Sequence, residues 1–76
     1  MSFQFLFSLR IYQARTRHGY TQAQTAEAVG ISPRWYQYIE QGTRTPGALV
    51  MLRLILFLGL DLEEFREYLS LPMSSK

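Results

Sequence analysis

Apolar residues recur along this chain with the period of a helix, in runs that glycine and proline cut into five. Phe3, Phe7, Ile11 and Ala14 fall on one face of a helix running to about His18 and ended by Gly19. The alternation Phe3, Phe5, Phe7, Leu9 also fits a short strand, so the first few residues admit either form. Thr21 and Gln24 stand at capping-box spacing, where the threonine hydroxyl accepts from the backbone three residues on and the glutamine reaches back. Ala23, Ala26 and Val29 then give helix 2 an inner face of small residues. Gly30 follows, where a left-handed turn is least costly. Ser32 and Pro33 open helix 3 as cap and first helical residue, and Gly42 stops it. Thr45–Pro46 repeats the device for helix 4, which ends at Gly59. Asp61 with Glu64 caps helix 5, whose inner residues are Leu62, Phe65 and Leu69. Leu71–Pro72 ends the regular structure. The pattern predicts an all-α chain: one compact five-helix domain over residues 1–70 and a frayed tail at 71–76.

Helix 4 holds more apolar residues than one buried side uses. Ala48, Met51, Ile55 and Leu58 supply a core stripe, leaving Leu49, Leu52 and Leu56 at i, i+3 and i+7, together with Phe57. A contiguous exposed patch of this kind marks an interface. The alternative is that a small domain buries more of such a helix than its wheel suggests, and the pattern alone leaves both open.

Composition narrows the classes. Seventy-six residues, 47% of them hydrophobic, suit one small domain near the lower limit for a self-sufficient core. The chain has no cysteine, so packing, and a partner subunit if there is one, must supply what disulfides or a thiolate metal site would. The most apolar stretch, residues 47–60, is interrupted by Arg53 and is too short to span a membrane. The N-terminus lacks the basic region and cleavage site of a secretory signal, so a cytoplasmic location is expected. Net charge is only +2, but residues 1–60 carry six arginines against Glu27 and Glu40, while residues 61–76 carry four acidic residues against Arg66 and Lys76. A basic body with an acidic end suits a molecule that turns one side to phosphate, although ordinary solvated charge reads the same way. His18, the single histidine, reads as a helix-terminal residue. No His/Cys/carboxylate cluster has metal spacing, no glycine-rich loop follows a strand, and no Ser/His/Asp set is available. Catalytic residues, metal and cofactors are therefore all expected to be absent.

The ordered set Arg15, Gly19, Thr21–Gln22, Ala26, Gly30, Ser32, Tyr36, Ile39–Glu40, Gly42, Pro46 and Leu58–Gly59 resembles the phage repressor and Cro-type helix-turn-helix family, the xenobiotic-response-element class of bacterial and phage regulators. The likeness spans about residues 7–69 and implies a lambda-repressor-like fold with helices 2 and 3 as the helix-turn-helix. It implies that Arg15 and Glu40 form a salt bridge tying helix 1 to the end of helix 3. It also implies that Gln22, in the first turn of helix 2, meets a DNA phosphate, where orphan N–H groups and the helix dipole favour an anion. Thr21 and Ser32 at the two caps, with Gln41, belong to the same phosphate-facing set.

A helix lying in the major groove offers its first two turns to base edges. Tyr36 and Ile39 continue the core stripe, which leaves Pro33, Arg34, Gln37, Tyr38 and Gln41 outward and Trp35 on the flank. Arg34 suits guanine O6 and N7, and Gln37 suits adenine N6 and N7. By the resemblance, Tyr38 stands at a base-facing position, its ring fit for a thymine methyl and its hydroxyl for a phosphate. Pro33 occupies a place where relatives often carry a polar base contact, so that position is limited to apolar contact. Trp35 is expected to pack against sugar-phosphate or the adjoining loop in preference to wedging between bases. Arg44, after Gly42, and Arg17, late in helix 1, are expected on backbone phosphates.

These features predict a sequence-specific binder of double-stranded DNA, a homodimeric repressor on a pseudo-palindromic operator, with Leu49, Leu52, Leu56 and Phe57 in the dimer or partner surface. At this length no ligand-sensing domain is expected beside it. Two alternatives remain: an antitoxin, whose spare surface holds a toxin, and a protein-interaction module that keeps the fold without reading DNA.

Overall fold

A computed structural model describes residues 2–69. Four α-helices and a closing 3₁₀ helix make up the fold: α1 Phe3–His18, α2 Gln22–Val29, α3 Pro33–Gln41, α4 Ala48–Leu58, then Leu62–Leu69. No strand occurs among the described residues, and the opening residues are helical, with the Ser2 hydroxyl accepting from Phe5 N. The tail predicted at 71–76 lies outside the described residues.

The stops are those the glycines announce. Gly19, Gly30, Gly42 and Gly59 all sit in the left-handed region at φ 70–80°, and each returns its N–H to a carbonyl of the last helical turn. The Thr21–Gln24 capping box is complete in both directions. Helix 4 departs from expectation. Its N-cap is Gly47, not Thr45, it has no side-chain cap, and Pro46 lies buried before it.

α1 is the central support, touching α3, α4 and the 3₁₀ helix, while α2 packs on α3 and α4. The core gathers Leu6, Phe7, Ile11, Ala14, Ala26, Val29, Tyr36, Ile39, Leu54, Ile55, Leu58 and Phe65. Several predicted inner faces are corrected. Ala23 is exposed and Thr25 is fully buried in its place, its hydroxyl donating to Thr21 O at 3.0 Å. Ala48 is exposed, and Leu54 takes the core position between Met51 and Leu58. In the last helix only Phe65 is buried, whereas Leu62 and Leu69 are about half exposed. That helix winds as 3₁₀ from its first bond, the i to i+3 link in which Asp61 O accepts from Glu64 N, and the Asp61 side chain caps it, Oδ1 accepting from Glu63 N. Phe65 anchors it in a three-ring cluster with Phe3 and Phe7, centroids 5.5–5.9 Å apart. Glu64, assigned to the cap, instead pairs with Arg10 at 2.7 Å.

Candidate nucleic-acid interface

The angle of α3 against the domain is held by a polar knot at its inner end. Arg15 on α1 reaches Glu40 with two parallel bonds, Nε to Oε2 at 2.7 Å and Nη2 to Oε1 at 3.0 Å, and its Nη1 donates to Tyr20 O at 2.9 Å. Glu40 also accepts from the Tyr36 hydroxyl at 2.6 Å and from Gln22 Nε2 at 2.9 Å. Three helices thus meet at one carboxylate whose side chain is 7% exposed. Burial pushes the Glu40 pKa up, but the bonds from Arg15, Tyr36 and Gln22 outweigh it and hold the group below the usual carboxylate value. The Tyr36 phenol is driven well up, by burial first and then by the neighbouring carboxylate, so it stays a donor. The bond to Glu40 raises the Arg15 pKa. A fully bonded, bidentate pair of this kind fixes orientation more than it adds net stability.

Gln22 therefore has a second occupation beside the phosphate contact expected of it. One amide N–H is given to Glu40, and the amide carries a second that this bond does not use. Thr21 and Ser32 use a hydroxyl lone pair to cap α2 and α3, accepting from Gln24 N and Trp35 N, which leaves each O–H free to donate.

Beyond the knot, α3 divides cleanly. Tyr36 and Ile39 are buried, while Pro33, Arg34, Gln37 and Gln41 are exposed along one face with half-buried Tyr38 at its border. Trp35, three residues earlier, is half-buried on the same border and meets the Tyr38 ring edge-on at 6.3 Å. Arg34 Nη1 lies 3.3 Å from the Tyr38 hydroxyl, and Arg44, exposed in the turn after Gly42, sits over the Tyr38 ring at 6.0 Å from its centroid. Two of the three arginines expected to meet DNA are thus gathered on one tyrosine.

Arg17 is not brought to this group. It lines a cleft of about 350 Å³ with Arg10, Gln13, Gly59, Leu60, Asp61 and Glu64, at the junction of α1, the end of α4 and the 3₁₀ helix. Phe57 likewise parts from the leucine stripe. It is partly buried and stacks on Tyr20 at 4.7 Å, which in turn stacks on His18. Leu49, Leu52 and Leu56 are 60%, 54% and 82% exposed.

Three supports escaped the sequence reading. Arg53 on α4 donates to Val29 O at 3.4 Å, adding a charge to the C-terminus of α2. Gln4 Nε2 donates to Gly42 O, and the Ser8 side chain packs where a Cβ on Gly42 would stand, so α1 also holds the end of α3. Tyr36 was legible as core by spacing, but nothing in the sequence marks its hydroxyl as a ligand of Glu40.

Two short helices joined through a left-handed glycine, the second clamped at its inner end and polar on its outer face, define a helix-turn-helix DNA-binding domain. A family model described as helix-turn-helix matches residues 11–65, and the chain belongs to that family, of the Cro/C1 type found in DNA-binding regulators. No curated protein and no solved structure gave a match. The matched span opens at buried Ile11 and closes at buried Phe65, so it takes in the knot, the turn and the core that carries both. Among the described residues no helix is long and apolar enough to cross a membrane.

Proposed function

We propose that this protein is a sequence-specific regulator that binds a pseudo-palindromic operator as a homodimer and acts as a repressor, with α3 in the major groove. The observation that carries the reading is the outer face of α3. Arg34 and Gln37 stand exposed on the first two turns, where an entering helix meets base edges, while Glu40 ties the same helix to α1 and α2. Arg34 reads a base, with Gln37 as its neighbour; Arg44, Gln22, Gln41 and the two cap hydroxyls meet phosphate. Occupying the operator then blocks polymerase or another regulator.

Selection from a random duplex library at near-physiological salt tests this. An inverted repeat with half-sites about 10 base pairs apart is the expected outcome. A folded protein that enriches no sequence would overturn it. A second reading, an antitoxin, is favoured by the exposed Leu49, Leu52 and Leu56, which would seat a toxin as readily as a second copy. Under that reading the purified chain enriches an operator only after its partner is added.

A further inference from the structure

We propose that Tyr38 is the positioning residue of the interface: it sets the geometry of the base-reading arginine and the phosphate-contacting arginine together. The inference rests on the assignment of α3 as the reading helix, and replaces the direct base contact expected of Tyr38 with an indirect role.

Three observations converge on one side chain. The hydroxyl of Tyr38 lies 3.3 Å from Arg34 Nη1, one helical turn earlier, so it accepts from one terminal nitrogen of the guanidinium and leaves the Nε–Nη2 edge to present a two-pronged donor. The ring face lies under Arg44, which comes from the turn beyond Gly42. The ring itself is held edge-on by Trp35, which packs against the core, so the platform is not free to swing. An arginine has several rotatable bonds to immobilise before it can present its planar fork to guanine, and a hydrogen bond that holds one terminal nitrogen removes part of that cost in advance. Arg44 lies outside any helix, and in the described residues the tyrosine ring is the aromatic surface beneath it. Tyr38 thus joins a contact that reads sequence to one that does not, and a change in its ring should be felt in both.

The test compares Tyr38→Phe with Tyr38→Leu on the best duplex selected from the random library and on a duplex of scrambled sequence. Tyr38→Phe removes the hydroxyl and keeps the ring. It should lose roughly three- to tenfold in discrimination at the base pair that Arg34→Ala relaxes, with binding to scrambled duplex and the salt dependence unchanged. Tyr38→Leu should show that loss and a further two- to fivefold weakening on both duplexes, roughly the worth of an exposed cation–π contact. Combined with Arg34→Ala, Tyr38→Phe should add nothing; the same holds for Tyr38→Leu against Tyr38→Phe once Arg44 is alanine. Tyr38 is half-exposed, and equal melting temperatures for the variants would exclude a folding effect. If Arg34→Ala relaxes one base pair and Tyr38→Phe leaves it untouched, or relaxes a different one, the positioning role is overturned while the reading of α3 stands. If Arg34→Ala relaxes no base pair, the assignment of α3 itself fails, and this proposal with it.

Discussion

A buried carboxylate with four donors around it has a definite acid limit. Glu40 accepts from Arg15 twice, from Tyr36 and from Gln22, and its pKa in the folded protein lies below its ordinary value of 4.5. A depressed carboxylate stabilises the fold fully above the unfolded value, and the contribution is lost as the pH falls through the lower, folded one. Urea unfolding between about pH 7 and pH 3 should therefore show stability falling below about 4.5 in the natural protein. Glu40→Gln should cost about 3 kcal/mol at neutral pH, because it leaves the Arg15 charge enclosed without its partner. The two proteins should converge in acid, where Glu40 itself is neutral; a gap that stays constant to pH 3 would show that charge is not what the knot uses. A different residue-level contrast lies on the outer face. Arg34→Ala should lose about 1–3 kcal/mol on the best site and relax one base preference, whereas Arg44→Ala should weaken all sites alike and flatten the salt dependence by about one unit of slope. Equal losses for both on selected and random duplexes would sink the division between reading and anchoring.

Elements here are bounded by local chemistry and joined by long-range chemistry, and that difference governs what could be read in advance. A capping box or a terminal glycine acts within four residues, so Thr21, Gln24, Ser32, Pro33 and the four left-handed glycines declared the end of α1, both ends of α2 and α3 and the end of α4 correctly, while the start of α1 stayed open between helix and strand. Helix 4 is apolar almost all round, so periodicity could not choose its inner face, and Leu54 was passed over for Ala48. Thr25 was missed because burial of a hydroxyl depends on Thr21 O being within reach, which composition does not reveal. In the site, the outward residues of α3 followed from spacing, but the attachments of Gln22 and Tyr36 to Glu40 span helices and left no periodic trace. The same contrast gives a prediction at two glycines. Gly30 has φ +79°, and a Cβ there would stand 3.1 Å from Arg53 Nη1. Gly30→Ala should cost about 1–2 kcal/mol from left-handed strain, before any displacement of Arg53. Gly47, in ordinary extended backbone with open space around it, caps α4 without a side chain. Gly47→Ser should raise stability by roughly a few tenths of a kcal/mol. Urea midpoints of the two variants that moved in the same direction would contradict the element boundaries drawn here.

At the scale of the whole molecule, the polar outer face of α3 and the exposed leucines of α4 lie on different helices. The core already holds Leu54, Ile55 and Leu58 from α4, and Phe57 is partly buried against Tyr20, which isolates Leu49, Leu52 and Leu56 as the surplus. Leu56 is the sharpest probe, being 82% exposed and remote from the core stripe of its own helix. Leu56→Glu should change the stability of the folded monomer by no more than about 0.5 kcal/mol, the usual range for a surface position. If the stripe pairs two copies, sedimentation at tens of micromolar should give a dimer for the natural protein and a monomer for the variant. The variant should also retain binding to a single half-site while losing most of its advantage on an inverted repeat, because linked sites raise the effective concentration of the second contact. A natural protein that is a monodisperse monomer at that concentration would remove the homodimer. The leucine stripe would then be the seat of a different protein, and the antitoxin reading would take precedence.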